Sequence, residues 1–320
     1  MGSKIYVKDM FFIFISLIVM IIGILVGVAF FVLLERKILG YIQDRKGPNK
    51  VLLLGVFQSF GDAIKLFVKE NVKLYKLNYL FYFMSPMVGF FMVLMLVVSV
   101  PFNENLFCMN LFLLYMMSCL SLGVYIIMMS GWSSNSMYAI LGGVRSVAQS
   151  LSYEVSMFLI FFIMFFYVES FKLIDFLVYQ SGILKFWYMN FMVCMMMFLS
   201  MVAELNRMPF DFIEGESELV SGFNIEYMSG SFTLIFLGEY MMIMVLGILF
   251  VLMNFGGNMM NLISILLVLM FMILVIWIRG CLPRMRYDNL MYFCWYYILS
   301  LVMLNLLMVF IFKYYLYLMY

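Results

Sequence analysis

The chain has 320 residues, of which 67% are hydrophobic and only 11% are charged, and its formal net charge is +2. A water-soluble domain of this length cannot bury so much apolar surface, which excludes the soluble globular classes. Histidine is absent, and the five cysteines do not form the close pairs that bind zinc or iron–sulfur clusters. The sequence therefore predicts that any redox cofactor is held by another polypeptide.

Long charge-free stretches follow one another and predict an all-α, polytopic membrane protein that forms a single integral membrane domain over residues 1–320. A transmembrane helix needs about 20 predominantly apolar residues. We place about eight spans, near residues 10–34, 79–100, 106–130, 147–168, 186–205, 228–253, 259–278 and 290–312. The fourth and sixth spans contain Glu154 and Glu239, and we expect these two helices to face protein or water rather than lipid.

The connection after the first span is long and contains an amphipathic segment. Apolar residues recur at helical spacing between residues 57 and 68, and the polar residues of the segment fall on the other side. This pattern predicts an interfacial amphipathic helix. The lysines that follow, Lys69, Lys73 and Lys76, fit a simple attraction to anionic lipid.

The distribution of Lys and Arg predicts the orientation of the spans. The connections after spans one, three, five and seven hold 14 of these residues, and the opposite side, which includes both termini, holds 5. By the positive-inside rule the odd connections face the matrix or cytoplasm, and both termini face the other side. Within this set, Arg36 and Arg279 have few acids near them in the sequence, so we expect them to act without fixed acidic partners.

Residues 204–218, with the sequence ELNRMPFDFIEGESE, concentrate acidic side chains at the end of a hydrophobic run. Pro209 and Gly215 prevent one regular helix, and irregular backbone beside a span is stable only when it is buried or lines a wet cavity. Crowded carboxylates in such a cavity cannot all remain ionised. Glu204 and Arg207 would share one face if the helix continued, and they could then pair. The sequence leaves two readings open, a proton relay or a structural ion-pair network.

Four blocks of the sequence resemble one family, subunit 1 of respiratory complex I, the NADH:ubiquinone oxidoreductase. The first block is LERK (34–37), QDRKGPNK (43–50) and DAIKLFVKE (62–70), and the second is WSSNS (132–136), RSVAQ (145–149) and SYEV (152–155). The third is the acidic segment continued by LVSGFNIEY (219–227), with Glu239 and Tyr240 in the next helix, and the fourth is LPRMRYD (282–288). All four fall on an odd connection or at its membrane edge.

The resemblance implies that the chain forms the membrane wall of the quinone chamber and begins the acidic path that couples quinone reduction to proton translocation. Ubiquinone would bind as substrate at the interface with partner subunits, and the chain itself would carry no metal, flavin or iron–sulfur cluster. Matches to the quinone passage and its charged approach are Glu35, Arg36, Arg45, Asp62, Lys65 and Arg279. Matches to the coupling path are Arg145, Glu154, Glu204, Arg207, Asp211, Glu214, Glu216, Glu218 and Glu239.

The same resemblance implies a multi-pass protein of the mitochondrial inner membrane with both termini on the intermembrane-space side. Its partners would be other membrane-arm and peripheral-arm subunits and membrane lipids, with no nucleic acid. Two alternatives remain at this level. A membrane subunit of a related hydrogenase-like complex would resemble the third block but bind no quinone. A self-sufficient secondary transporter would be expected to carry an inverted internal repeat, and we find no motif repeated between the halves.

Overall fold

A computed structural model describes residues 2–51, 54–71, 75–101, 109–182, 185–212, 215, 219, 222–257 and 261–319. Regular secondary structure in this part of the chain is helical throughout. The helices are α1 (Gly2–Ile42), α2 (Gln58–Val68), α3 (Tyr79–Ser99), α4 (Phe112–Ser133), α5 (Met137–Val168), α6 (Leu173–Tyr179), α7 (Phe186–Met189), α8 (Phe191–Glu204), α9 (Ser229–Phe255), α10 (Leu262–Cys281) and α11 (Tyr287–Met319).

Seven of the helices in the described ranges are long and apolar enough to cross a membrane, namely α1, α3, α4, α5, α9, α10 and α11, and α8 is a shorter apolar helix. The prediction of an all-α, polytopic membrane protein is confirmed. The predicted amphipathic helix is α2, which exposes Ile64, Phe67 and Val68 and buries Ser59. An exposed apolar stripe on a short helix of this kind suits contact with lipid or with another polypeptide.

Helix α5 is the centre of the fold, and it begins ten residues before the predicted span. It packs against α4, α8 and α11, while α9 packs against α3, α10 and α1. The polar residues at its start do not end the helix, because their hydroxyls are satisfied within it. Ser146 Oγ donates to the carbonyl of Gly143 at 2.7 Å, and Ser150 Oγ donates to the carbonyl of Ser146 at 2.7 Å. These serines are buried against protein, where such bonds remove the cost of a polar group.

The predicted fifth span is divided into α7 and α8 by Asn190, whose backbone lies outside the helical region at φ −141° and ψ 67°. Asn190 Nδ2 donates to the hydroxyl of Tyr167 on α5 at 3.0 Å, so the break is held against the centre of the fold. Helix α8 has 14 residues and is therefore about 21 Å long, shorter than the ~30 Å hydrocarbon layer. At Glu204 the helix ends and irregular backbone follows.

Candidate functional site

A cavity of about 330 Å³ lies between α3, α4 and α9 and reaches the end of α8. Its apolar wall includes Phe90, Leu96, Leu120, Ile126 and Ile127. Acidic and basic side chains line the same cavity. These charged residues are Glu204, Arg207, Asp211, Glu239 and Arg279. The cavity thus combines an apolar wall with a charged rim, which is the usual form of a small-molecule site.

Glu35 is the acid that holds the basic part of this rim together. It lies on α1, is only 4% exposed, and accepts bonds at Oε1 from two arginines. Arg207 Nη1 lies 3.3 Å from this oxygen, and Arg279 Nη1 at the end of α10 contacts the same atom. Burial by itself lowers the pKa of the Arg207 guanidinium, but Glu35, Tyr240 and Glu239 together raise the pKa above its ordinary value. The cluster therefore keeps Arg207 charged beside the cavity.

The neighbouring residue Arg36 takes part in a different ion pair, outside the cavity. Successive residues on a helix point about 100° apart, so Glu35 faces inward while Arg36 faces α2. Arg36 Nη1 lies 2.5 Å from Asp62 Oδ2, and the two side chains are 45% and 35% exposed. The expectation that Arg36 and Arg279 lack acidic partners is wrong. Arg36 pairs with Asp62 on α2, and Arg279 pairs with Glu35 on α1. Each acid lies on a different helix from its arginine, so the local charge pattern could not predict the pair.

Glu204 does not pair with Arg207, contrary to the sequence-based expectation. Helix α8 ends at Glu204, and Asn206 turns the chain with a φ of 51°. Arg207 therefore leaves the face of α8, lies 4.6 Å from the centre of the Tyr240 ring and pairs with Glu35. Glu204 Oε2 is buried without a hydrogen-bond partner among the described residues. Its carboxyl group interacts electrostatically with that of Glu154 on α5.

The irregular segment after α8 is fixed by contacts from two other parts of the chain. Gln149 on α5 is fully buried, and its Nε2 donates to the carbonyls of Ala203 at 3.0 Å and Phe210 at 2.9 Å. Arg284 Nη2 donates to Asp211 Oδ2 at 3.0 Å. The backbone N–H of Met285 also donates to the carbonyl of Pro209 at 3.1 Å. Residues 204–212 of the segment are thus packed against protein and line a cavity, as the sequence pattern predicted.

Several predicted site residues lie away from this cavity. Arg45 and Lys65 are exposed, and Arg45 Nε donates to Gln43 Oε1 at 3.0 Å. Arg145 is half-buried two turns into α5 and does not line the cavity. Glu214, Glu216 and Glu218 lie outside the described residues. In the described ranges, no three Cys, Asp or Glu side chains are grouped to hold a metal ion.

Sequence reasoning missed Gln149, Tyr240 and Arg284 as parts of the site. All three fall within the four blocks quoted above, so the blocks contained the signal. Charge alone did not select them, because Gln149 and Tyr240 are neutral. Arg284 was explained as one of the basic residues that set orientation.

A family model described as NADH dehydrogenase matches residues 15–310. The chain belongs to this family. It is 47% identical to NADH-ubiquinone oxidoreductase chain 1 of Aedes aegypti over 280 residues, which are 87% of this chain and 88% of the relative. It is also 47% identical to the protein of that name in Apis mellifera ligustica, over 93% of this chain and 97% of the relative. The counterpart in Metridium senile is 40% identical over 88% of both chains. Family membership confirms the resemblance carried by the four blocks.

Proposed function

We propose that this chain is a membrane subunit of the proton-translocating NADH:ubiquinone oxidoreductase, respiratory complex I. In it the chain forms the membrane wall of the quinone chamber and the start of the acidic path that couples quinone reduction to proton translocation. The relatives named NADH-ubiquinone oxidoreductase chain 1 support the assembly and the substrate. The observation that carries the finer assignment is the cavity of about 330 Å³ with an apolar wall and a charged rim.

The quinone would occupy the region between the apolar wall and the basic cluster. An isoprenoid quinone has an apolar tail and a polar head, and the two sides of the cavity match these parts. Arg207 and Arg279, held by Glu35, present positive charge where a quinone that gains electrons becomes more negative. Ubiquinone binds as substrate at the interface with partner subunits. Flavin and iron–sulfur chemistry belongs to those partners.

The proton-handling role falls on Glu204, together with Glu154, whose charge acts on it, and Glu239, which lines the same cavity. Reduction of one quinone consumes two electrons and two protons, so the charge in the cavity changes during each turnover. Glu204 has a buried oxygen with no hydrogen-bond partner in the described part of the chain. A carboxyl group in that state changes its proton occupancy more readily than one fixed in an ion pair. Glu204 can therefore take up or release a proton when the quinone changes its charge.

The proposal includes a location and an orientation. The chain is a multi-pass protein of the mitochondrial inner membrane, with its odd connections on the matrix side and both termini on the intermembrane-space side. The peripheral arm would dock on the matrix side. Other membrane-arm subunits and lipids would cover the exposed apolar helix faces, and no nucleic acid is involved.

The test is Glu204→Gln in the assembled complex, because this change preserves shape but removes proton exchange. We expect normal assembly on a native gel, normal electron transfer from NADH to an artificial acceptor in the peripheral arm, and quinone turnover and proton uptake in vesicles reduced by about tenfold or more. Asp175→Asn is the matched control, since Asp175 bonds Ser170 on the opposite connection. Wild-type turnover and pumping in Glu204→Gln would contradict the proposed coupling role.

A further inference from the structure

Three buried hydroxyl groups form a chain beside the cavity. Tyr227 Oη lies 3.1 Å from Ser85 Oγ on α3 and 3.3 Å from Ser133 Oγ on α4. The three residues are 4%, 3% and 0% exposed. Both distances are somewhat longer than the ~2.5–3.0 Å typical of bonds between hydroxyls but remain within hydrogen-bonding reach, so the hydroxyls of three separate elements are connected without a charged group among them.

The two ends of this chain lie in different places. Ser85 lines the same cavity as Glu204 and Glu239. Ser133 is the last residue of α4, and the turn that follows exposes Asn135. This turn belongs to the odd connections, which carry most of the Lys and Arg. The chain therefore lies between the turn after α4 and the cavity that Glu204 and Glu239 also line.

The hydrogen bonds of the chain can reverse their direction. Either atom can be the donor in both bonds of Tyr227. The carbonyl of Ser130 lies 3.4 Å from Tyr227 Oη and 3.1 Å from Ser133 Oγ, and it offers each hydroxyl an alternative acceptor. A hydroxyl that conducts protons must accept one proton and release another, and then reorient. The arrangement around Ser130 permits that reorientation.

The position of the Tyr227 ring does not depend on its hydroxyl. Tyr82 stacks on it with 4.4 Å between ring centroids and an interplanar angle of 7°. Tyr82 in turn donates its own hydroxyl to the carbonyl of Glu226 at 2.7 Å. Burial raises the pKa of the Tyr227 phenol, so the group stays neutral and passes protons without becoming a tyrosinate. Removing only the hydroxyl therefore separates conduction from packing.

We propose that Ser133, Tyr227 and Ser85 conduct protons between the odd-connection face and the carboxylates of the cavity. One proton arrives at Ser133 Oγ, one passes from Ser133 to Tyr227, one from Tyr227 to Ser85, and one leaves Ser85 Oγ for the cavity. Each hydroxyl ends with the same atoms that it had at the start, and the net result is the transfer of one proton. This inference rests on the proposed function, since the cavity must consume or exchange protons during turnover.

The test is Tyr227→Phe in the assembled complex reconstituted in vesicles with a short-tail ubiquinone. We expect quinone turnover and proton uptake to fall by about tenfold, with a changed solvent deuterium isotope effect on turnover. Electron transfer to an artificial acceptor should stay unchanged. Tyr82→Phe is the matched control, because it also removes one buried hydroxyl but leaves the chain of three intact. It should retain wild-type turnover and isotope effect.

A pair of variants at Ser85 keeps the proposal falsifiable if Tyr227→Phe does not assemble. Ser85→Ala breaks the chain and should lower turnover, whereas Ser85→Thr retains the hydroxyl and should restore it. Wild-type turnover and isotope effect in assembled Tyr227→Phe, or in Ser85→Ala, would overturn the relay. If Glu204→Gln is then still impaired, the proposed function stands without this relay. If Glu204→Gln also behaves as wild type, the coupling role itself fails.

Discussion

Gln149 shows how one neutral side chain can set the geometry of a charged site. Its amide donates to the carbonyls of Ala203 and Phe210, which lie on either side of the turn that carries Glu204 and Arg207. The two bonds tie the end of α8 to the backbone at Phe210 and so fix the turn between them. A single buried amide thus helps to hold Arg207 where it meets Glu35.

We predict that Gln149→Leu has a larger effect on the kinetics of quinone reduction than on the thermal stability of the complex. The two lost bonds cost about 1 kcal/mol each, since both carbonyls keep a backbone donor. Thermal unfolding and quinone kinetics of the complex measure the two effects, and we expect a raised KM for the quinone. Gln180→Leu is the control, because Gln180 is equally buried and donates to the carbonyl of Met253 away from the cavity. Equal loss of quinone reduction in both variants would show that Gln149 acts only through general stability.

The pairing of individual charges is what the sequence could not provide. The sequence predicted most of the charged residues that line the cavity, because they stand out against nearly charge-free surroundings. It could not pair Glu35 with Arg279, which lies 244 positions away. It also grouped Glu35 with Arg36, although the rotation of α1 sends them to different surroundings. Partner assignment depends on helix packing and helix rotation, and neither is encoded in local charge.

At the level of elements, hydropathy located the helices but not their ends. It marks the residues that lipid tolerates, whereas a helix continues wherever its backbone bonds are satisfied. Helix α1 therefore extends to Ile42, beyond the predicted end at residue 34, and carries Glu35 as a helical residue. Helix α5 likewise extends back to Met137. The π-helical stretch Phe293–Ile298 within α11 had no signal in the apolar pattern, although Cys294 Sγ there donates to the carbonyl of Ser152 at 3.3 Å.

The ends of α5 and α11 are joined by a contact on the face opposite the cavity. Lys313 Nζ lies 2.6 Å from Glu169 Oε1, and the Tyr317 hydroxyl donates to the same oxygen at 2.9 Å. Lys313 also lies 4.7 Å from the centre of the Phe166 ring. The hydrogen bond from Lys313, followed by that from Tyr317, holds the pKa of the Glu169 carboxyl below its usual range. From the sequence, Lys313 counts only among the basic residues that set the orientation, and Glu169 and Tyr317 have no assigned role.

This contact predicts a pH dependence with a definite sign. The folded pKa of Glu169 is depressed, so its stabilising contribution is fully present above the ordinary glutamate pKa of about 4.3 and is lost as pH falls through the folded value. We expect Glu169→Gln to unfold at a lower temperature than wild type near neutral pH, and the difference to shrink as pH falls below about 4.3. High salt should also reduce it, because the carboxylate is exposed. A difference that is unaffected by pH would rule out this contribution of the charged carboxylate.

At the scale of the whole molecule, exposure separates a central group of helices from a peripheral one. In the most apolar 18-residue stretch of α5, 56% of the residues are buried within the chain, whereas the shares for α1 and α11 are 11% and 17%. Helices α1 and α11 therefore form the outer surface, where lipid or neighbouring subunits cover them. Charged groups gather at the odd-connection end of this bundle. The molecule thus has one chemically active end, and its function depends on which compartment that end faces.

The orientation of that end is a prediction that labelling can decide. The distribution of 14 basic residues on the odd connections against 5 on the other side predicts that the odd connections face the matrix. We expect a membrane-impermeant maleimide to label Lys46→Cys only from the matrix side and Lys4→Cys only from the opposite side. The native Cys281 is exposed at the end of α10, where an odd connection begins, and it should therefore be labelled from the same side as Lys46→Cys. It serves as an internal reference. Cys281→Ser combined with Cys108→Ser supplies the background in which the introduced thiols are read, since the other three native cysteines are buried. Labelling of Lys46→Cys and Lys4→Cys from the same side would require an even number of crossings between them, or none, and the eight-span arrangement would then be wrong.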